Sequence, residues 1–167
     1  MLKPQDILVL LKIHNISTDW TYSQLAQSLG MSTSEIHAAL KRCEISGLYQ
    51  GEQRKVLKEP LGEFLIHGLK YVFPVQPGAM VRGLPTAHSA EPLKSLLMVN
   101  TDDVYVWAFA NGTVKGQTIE PLYRSVPQAA IDDIQLYQFL CLIDALRVGR
   151  IREQKLAASE LIKRLKK

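Results

Sequence analysis

Apolar positions recur at helical spacing through most of this chain, and the breaks between the stripes mark its elements. Ile7, Leu8, Leu10 and Leu11 predict a helix over 4–12, with Pro4 in the first turn, where a missing N–H is tolerated. After a linker at 16–20, Thr21 and Tyr22 suit a very short strand. Ser23 is placed to cap a second helix through residue 28, with Leu25, Ala26 and Leu29 facing inward. Gly30 then supplies a left-handed terminating position. Ser32 and Glu35 have the S-x-x-E spacing of a capping box, in which each side chain satisfies a backbone N–H of the other. Ile36, Ala39, Leu40 and Cys43 follow at i, i+3, i+4 and i+7, predicting a helix that stops near Ser46 and Gly47. Strands at 48–50 and 55–57, around a polar tip at 51–54, make a short hairpin.

The rest of the chain is less periodic. A helix is expected over 60–69, through Leu61, Phe64, Leu65 and Leu69. Residues 71–92 are rich in Pro and Gly and read as an ordered loop or a set of short extended pieces, too apolar for a flexible linker. Strands at 103–109 and 113–119 flank Asn111-Gly112, a strong signal for a two-residue hairpin turn. One long helix is expected from 126 to 148, carrying Leu136, Phe139, Leu140, Ile143 and Leu146, and a final helix over 151–166. The expected class is α+β, with one region over 1–72 and a second, hairpin plus helices, over 73–167.

Composition fits a folded protein: 167 residues, 47% hydrophobic and 22% charged. No apolar run approaches membrane-spanning length, and the apolar patch after Asp6 lacks the small-residue cleavage site of a signal peptide. Cys43 and Cys141 are isolated, which excludes a disulfide framework or a zinc site and suits the reducing cytoplasm. The net charge of +4 is unevenly spread. Residues 1–70 carry eight Lys/Arg and seven Asp/Glu (+1), 71–144 four and seven (−3), and 145–167 eight and two (+6). A basic C-terminal helix favours a polyanion partner or serves simply as a solvated face.

Two short helices joined by a tight turn, with the second presenting polar residues outward, is the arrangement that puts one helix in a DNA groove. The outward set is Thr33, Ser34, His37, Ala38 and Lys41. Ser, Thr and His hydrogen-bond base edges, and Ala contacts a thymine methyl. Lys41, Arg42, Arg54 and Lys55 are assigned to phosphates, the last two from the hairpin tip, and Thr21 and Ser32 complete the set.

The residues Trp20-Thr21-Tyr22-Ser23-Gln24-Leu25-Ala26, Leu29-Gly30-Met31-Ser32, Glu35-Ile36, Ala39-Leu40 and Gly47-Leu48 resemble the winged helix-turn-helix domains of bacterial transcription regulators, MarR-like repressors among them. The resemblance covers about the first 60 residues. It implies an N-terminal winged helix-turn-helix, duplex DNA as partner and repression by occupying a promoter. The hairpin is short for the family, and the reading helix has few Arg residues for guanine. Winged helices also serve as protein-interaction modules, which stands as the alternative.

Residues 73–92 are similar to a segment of small bacterial winged-helix proteins encoded beside nucleotidyltransferase-type toxins, which implies an antitoxin-like, autoregulatory role with a toxin-like partner. From its residues alone, the segment has two readings: a structural arm, or an anion or small-molecule effector pocket built on Arg82, Thr86 and His88. A homodimer is expected, because palindromic half-sites match a two-fold protein and one such module binds too weakly alone. The 126–148 helix is apolar over most of its circumference, so a second copy or the 103–119 strands must cover it. No catalytic residue, metal or cofactor is expected. The four histidines lack metal-ligand spacing, and neither a G-x-S-x-G elbow nor a phosphate-binding G-x-x-x-x-G-K-[ST] loop occurs.

Overall fold

The computed structural model describes residues 1–98 and 103–167. Helix α1 (Pro4–Asn15) buries Asp6 through Leu11 without a break, plus Ile13, so it lies inside the molecule rather than on a face of it. Thr21, not Ser23, caps α2 (Tyr22–Leu29), and no strand forms at 21–22. The Thr21 hydroxyl accepts from Gln24 N at 3.1 Å and Gln24 Oε1 accepts from Thr21 N at 3.0 Å, a capping box at T-x-x-Q spacing. Gly30 takes the left-handed conformation (φ 62°, ψ 37°) that ends α2. Ser32 and Glu35 form the expected box around the start of α3 (Thr33–Ile45), at 3.1 and 2.7 Å, and the stripe Ile36, Ala39, Leu40 and Cys43 is buried.

Strands β1 (Tyr49–Gln50) and β2 (Lys55–Val56) pair antiparallel, Tyr49 opposite Val56. Helix α4 (Lys58–His67) buries Leu61 and Leu65, and α5 (Leu69–Val72) buries Leu69.

The second half departs from the sequence pattern in three ways. Residues 71–92 contain a strand, β3 (Met80–Pro85), a 3-10 turn (Ala87–Ser89), and the approach to α6 (Leu93–Leu97). Strands β4 (Tyr105–Ala108) and β5 (Val114–Thr118) do not form a hairpin. Each pairs antiparallel with β3, and they pair parallel with each other, closing a three-stranded ring. The chain does turn here, Gly112 N donating to the Phe109 carbonyl at 3.0 Å, but Gly112 is also needed for closeness, since a Cβ there would lie 2.4 Å from the Gly83 carbonyl. Gly83 in turn has the Trp107 carbonyl oxygen 1.9 Å from where its Cβ would be, so neither backbone crossing admits a side chain.

Third, the long helix is two: α7 (Val126–Ile131) and α8 (Ile134–Val148). Asp133 separates them by capping α8, its Oδ1 accepting from Leu136 N at 3.1 Å. Its Oδ2 meets Lys12 Nζ of α1 at 2.8 Å. Helix α8 is the centre of the molecule, with Leu136 and every residue from Phe139 to Leu146 buried. Its apolar circumference is covered within the chain, by α1, α4, α5, α7, the 3-10 turn and α9 (Ile151–Lys166). The face assigned to a second copy is therefore not available. One hydrophobic cluster runs from Ile7 to Leu165 and includes residues on both sides of residue 72. No helix among the described residues is long and apolar enough to cross a membrane.

Burial pushes the Cys43 thiol up to about 12 and raises that of Cys141 as well, with neighbouring carboxylates adding to both. Both thiols are expected to ignore a water-soluble disulfide reagent in the native protein and to react fully in urea. A fast native thiol would show that one of these helices opens.

Candidate nucleic-acid interface

Because the apolar stripe of α3 is spent on the core, its other side faces solvent. Thr33, Ser34, His37, Ala38 and Lys41 are all exposed there. Ser32 and Thr21 are exposed too, but each hydroxyl oxygen already accepts a capping N–H. Lys41 and, on β2, Lys55 are exposed and carry no ion pair among the described residues.

Arg42 belongs to the interior architecture and not to the outward set. Its Nε and Nη2 fork onto the two oxygens of Asp6 at 2.8 and 2.7 Å. Asp6 is fully buried and also accepts from Lys3 N at 2.8 Å. A bidentate pair of this kind fixes α3 against α1 and commits the Nε edge of the guanidinium to Asp6.

Arg54 is also committed, in a way that bears on α3. At the hairpin tip, with φ 53°, its guanidinium lies 4.0 Å from the Trp20 ring centroid, and Nη2 donates to the Trp20 carbonyl at 2.6 Å. Trp20 meets Tyr22 edge to face at 5.5 Å, and Tyr22 stacks on His37 at 3.7 Å and 14°. The hairpin, the start of α2 and α3 are thus joined by one ladder: Arg54, Trp20, Tyr22, His37. One face of the His37 ring is covered by Tyr22 while the residue stays exposed. Glu44 of α3 adds a second tie, its Oε1 accepting from Gly51 N at 3.0 Å.

The first turn of α3 carries a carboxylate. The Ser32 backbone N–H, then the Tyr123 hydroxyl, hold Glu35 below the usual carboxylate range, so it stays anionic into the acid range. Tyr123 brings the second half of the chain to this point. Ser125 beside it donates to the Leu29 carbonyl, and exposed Arg124 lies close enough to act on Glu35.

Arg82, Thr86 and His88 do not make an anion pocket. Thr86 is buried and donates to Asp144 Oδ2 at 2.7 Å. The same oxygen accepts from Trp107 Nε1 at 2.7 Å, while Arg147 Nη1 reaches Oδ1 at 3.0 Å. His88 is buried, its Nε2 on the Asp103 carbonyl and its Nδ1 3.8 Å from Glu153. Arg82 is exposed on β3, opposite Lys115. Thr86 and His88 face acidic or carbonyl partners, so this segment is the structural arm. Among the described residues no group of three or more His, Cys, Asp and Glu is placed to hold a metal ion.

The sequence pattern did not pick out Trp20, Tyr22, Asp6 or Tyr123 for this site. An alternating aromatic pair before a capped helix, with an Arg at a hairpin tip, is the one signal that was present in advance. Comparisons with protein-family models, curated proteins and solved structures find no match for this chain.

Proposed function

We propose that residues 1–72 form a winged helix-turn-helix and that the chain is a sequence-specific duplex DNA-binding regulator of transcription, acting as a homodimeric repressor. The observation that carries this reading is the exposed, polar, cap-anchored face of α3, with His37 stacked on Tyr22 and the hairpin held beside it by Arg54. In this reading Thr33, Ser34 and His37 address base edges in the major groove, and Lys41 and Lys55 neutralise phosphates. Dimerisation does not use α8, and it supplies the second half-site that a lone module needs.

The competing reading is an interaction module with a protein partner, such as a toxin-like one. It is favoured by the commitment of Arg42 and Arg54 to contacts within the chain. Selection from random duplexes at physiological salt separates the two. The DNA reading expects an enriched motif, shifted by Ser34→Ala or His37→Ala. No enrichment, with co-purification of a larger protein, sinks it.

A second measurement tests the cations. Lys41→Ala with Lys55→Ala is expected to lower the slope of log affinity against log salt by about 1.8 per bound protomer, at about 0.9 per phosphate contact. An unchanged slope removes these two lysines from the interface.

A further inference from the structure

Three open clefts on this molecule share lining residues and so form one surface. The first, about 860 Å³, runs between the 16–20 segment and the hairpin, and its walls include Ser17, Thr18, Arg54, Lys55 and Lys58. A second, about 480 Å³, shares His14, Ile16 and Ser17 with it and brings in Arg164 and Lys167 from the last turns of α9. A third, about 430 Å³, shares Lys58 with the first and adds Lys166. His14 locks the junction, its ring nitrogen hydrogen-bonded to the Leu165 carbonyl at 3.1 Å.

The folding of the chain has therefore carried the basic C-terminal helix to the outer flank of the hairpin. Around these clefts stand Arg54, Lys55, Lys58, Arg164, Lys166 and Lys167, against two acids, Asp19 and Glu59. Lys55, Lys58, Lys166 and Lys167 are exposed and without an ion pair among the described residues. Ser17 and Thr18 add exposed hydroxyl donors. Through Arg54, Trp20, Tyr22 and His37 the surface is continuous with the reading helix.

We propose that this surface is a second phosphate-contact zone for the same duplex, in which the hairpin flank and the end of α9 follow the DNA backbone beyond the segment that α3 reads. The proposal rests on the DNA reading above. It accounts for how a reading unit with a net charge near zero gains affinity, since sequence-independent phosphate contacts supply much of the binding energy. A backbone partner is favoured over a base-reading role because these are flexible lysines around wide clefts, and Trp20 and Phe139 in the cleft walls are buried.

The test uses the full chain with Lys58→Gln, Lys166→Gln and Lys167→Gln combined, all at exposed positions, and Lys167→Glu as a single-site companion. Affinity is followed against salt on a duplex limited to the selected site and on one extended at both ends. The unmodified protein is expected to prefer the extended duplex. The triple variant is expected to lose that preference and about 2.7 of salt slope per bound protomer, at about 0.9 per contact, while keeping the same selected motif. An unchanged slope with the motif retained overturns this proposal and leaves the DNA reading standing. No duplex binding by the unmodified protein overturns both. Loss of binding to phosphatidylserine vesicles with an unchanged duplex slope assigns the surface to lipid headgroups and overturns it as well.

Discussion

Asp144→Ala is expected to destabilise the protein by about 3–5 kcal/mol, the range for removing one member of a buried ion pair. Three donors converge on that carboxylate from three parts of the chain: Thr86 after β3, Trp107 in β4 and Arg147 in α8. Asp144 is 2% exposed and the Arg147 side chain 5%, so water does not replace the lost oxygens. Burial holds the Asp144 carboxyl above the usual carboxylate range, and Arg147, Thr86 and Trp107 partly offset this. Against a total stability of about 5–15 kcal/mol, the loss is a large share of the whole. Urea unfolding of the variant measures it. A cost under about 1 kcal/mol would mean that the ring of strands packs without this hub.

The second large effect is at Arg42. Arg42→Ala strips a fully buried Asp6 of its counter-charge and is expected to cost about 3 kcal/mol, the low end of that range because the Arg42 side chain is 20% exposed. Asp6→Leu combined with Arg42→Met is expected to recover most of it, since removing both charges leaves none unpaired. The functional consequence is a contrast. If Arg42 acts through α1 and not on DNA, the Asp6→Leu and Arg42→Met double variant, which removes the positive charge, should keep the wild-type salt slope. A slope reduced as much as by Lys41→Ala would return Arg42 to the interface.

What could be read in advance was what is local. Capping boxes, the left-handed Gly30, the stripe of α3 and the short hairpin depend on residues within one or two turns, and the structure has all of them. The cap of α2 is Thr21 and not Ser23, although both hydroxyls lie within three residues, because only Thr21 has Gln24 at the spacing of a capping box. β3 was hidden because its inward position is Gly83, which gives no hydrophobic signal, while Met80 and Arg82 face out. The break at Asp132 and Asp133 was masked by apolar periodicity continuing across it.

The candidate site was half legible for the same reason. The outward face of α3 follows from its stripe. The removal of Arg42 from that face depends on an acid 36 residues earlier, and that of Arg54 on a tryptophan 34 residues earlier. Nothing in local spacing reveals such pairings. The meeting of α9 with the hairpin flank is likewise a product of topology.

The burial of α1 from Asp6 to Leu11 has a consequence for how the molecule is made. Its partner α8 lies far along the chain, and the Lys12–Asp133 contact spans 121 positions. Until that span closes, the apolar circumference of α1 is without its central neighbour, and α3, fastened to α1 through Asp6, rests on an unfinished support. Contacts of such wide separation close slowly, because chain entropy is lost before they form. The closure of α1 on α8 is therefore expected to come late in folding, although α1 is encoded near the beginning.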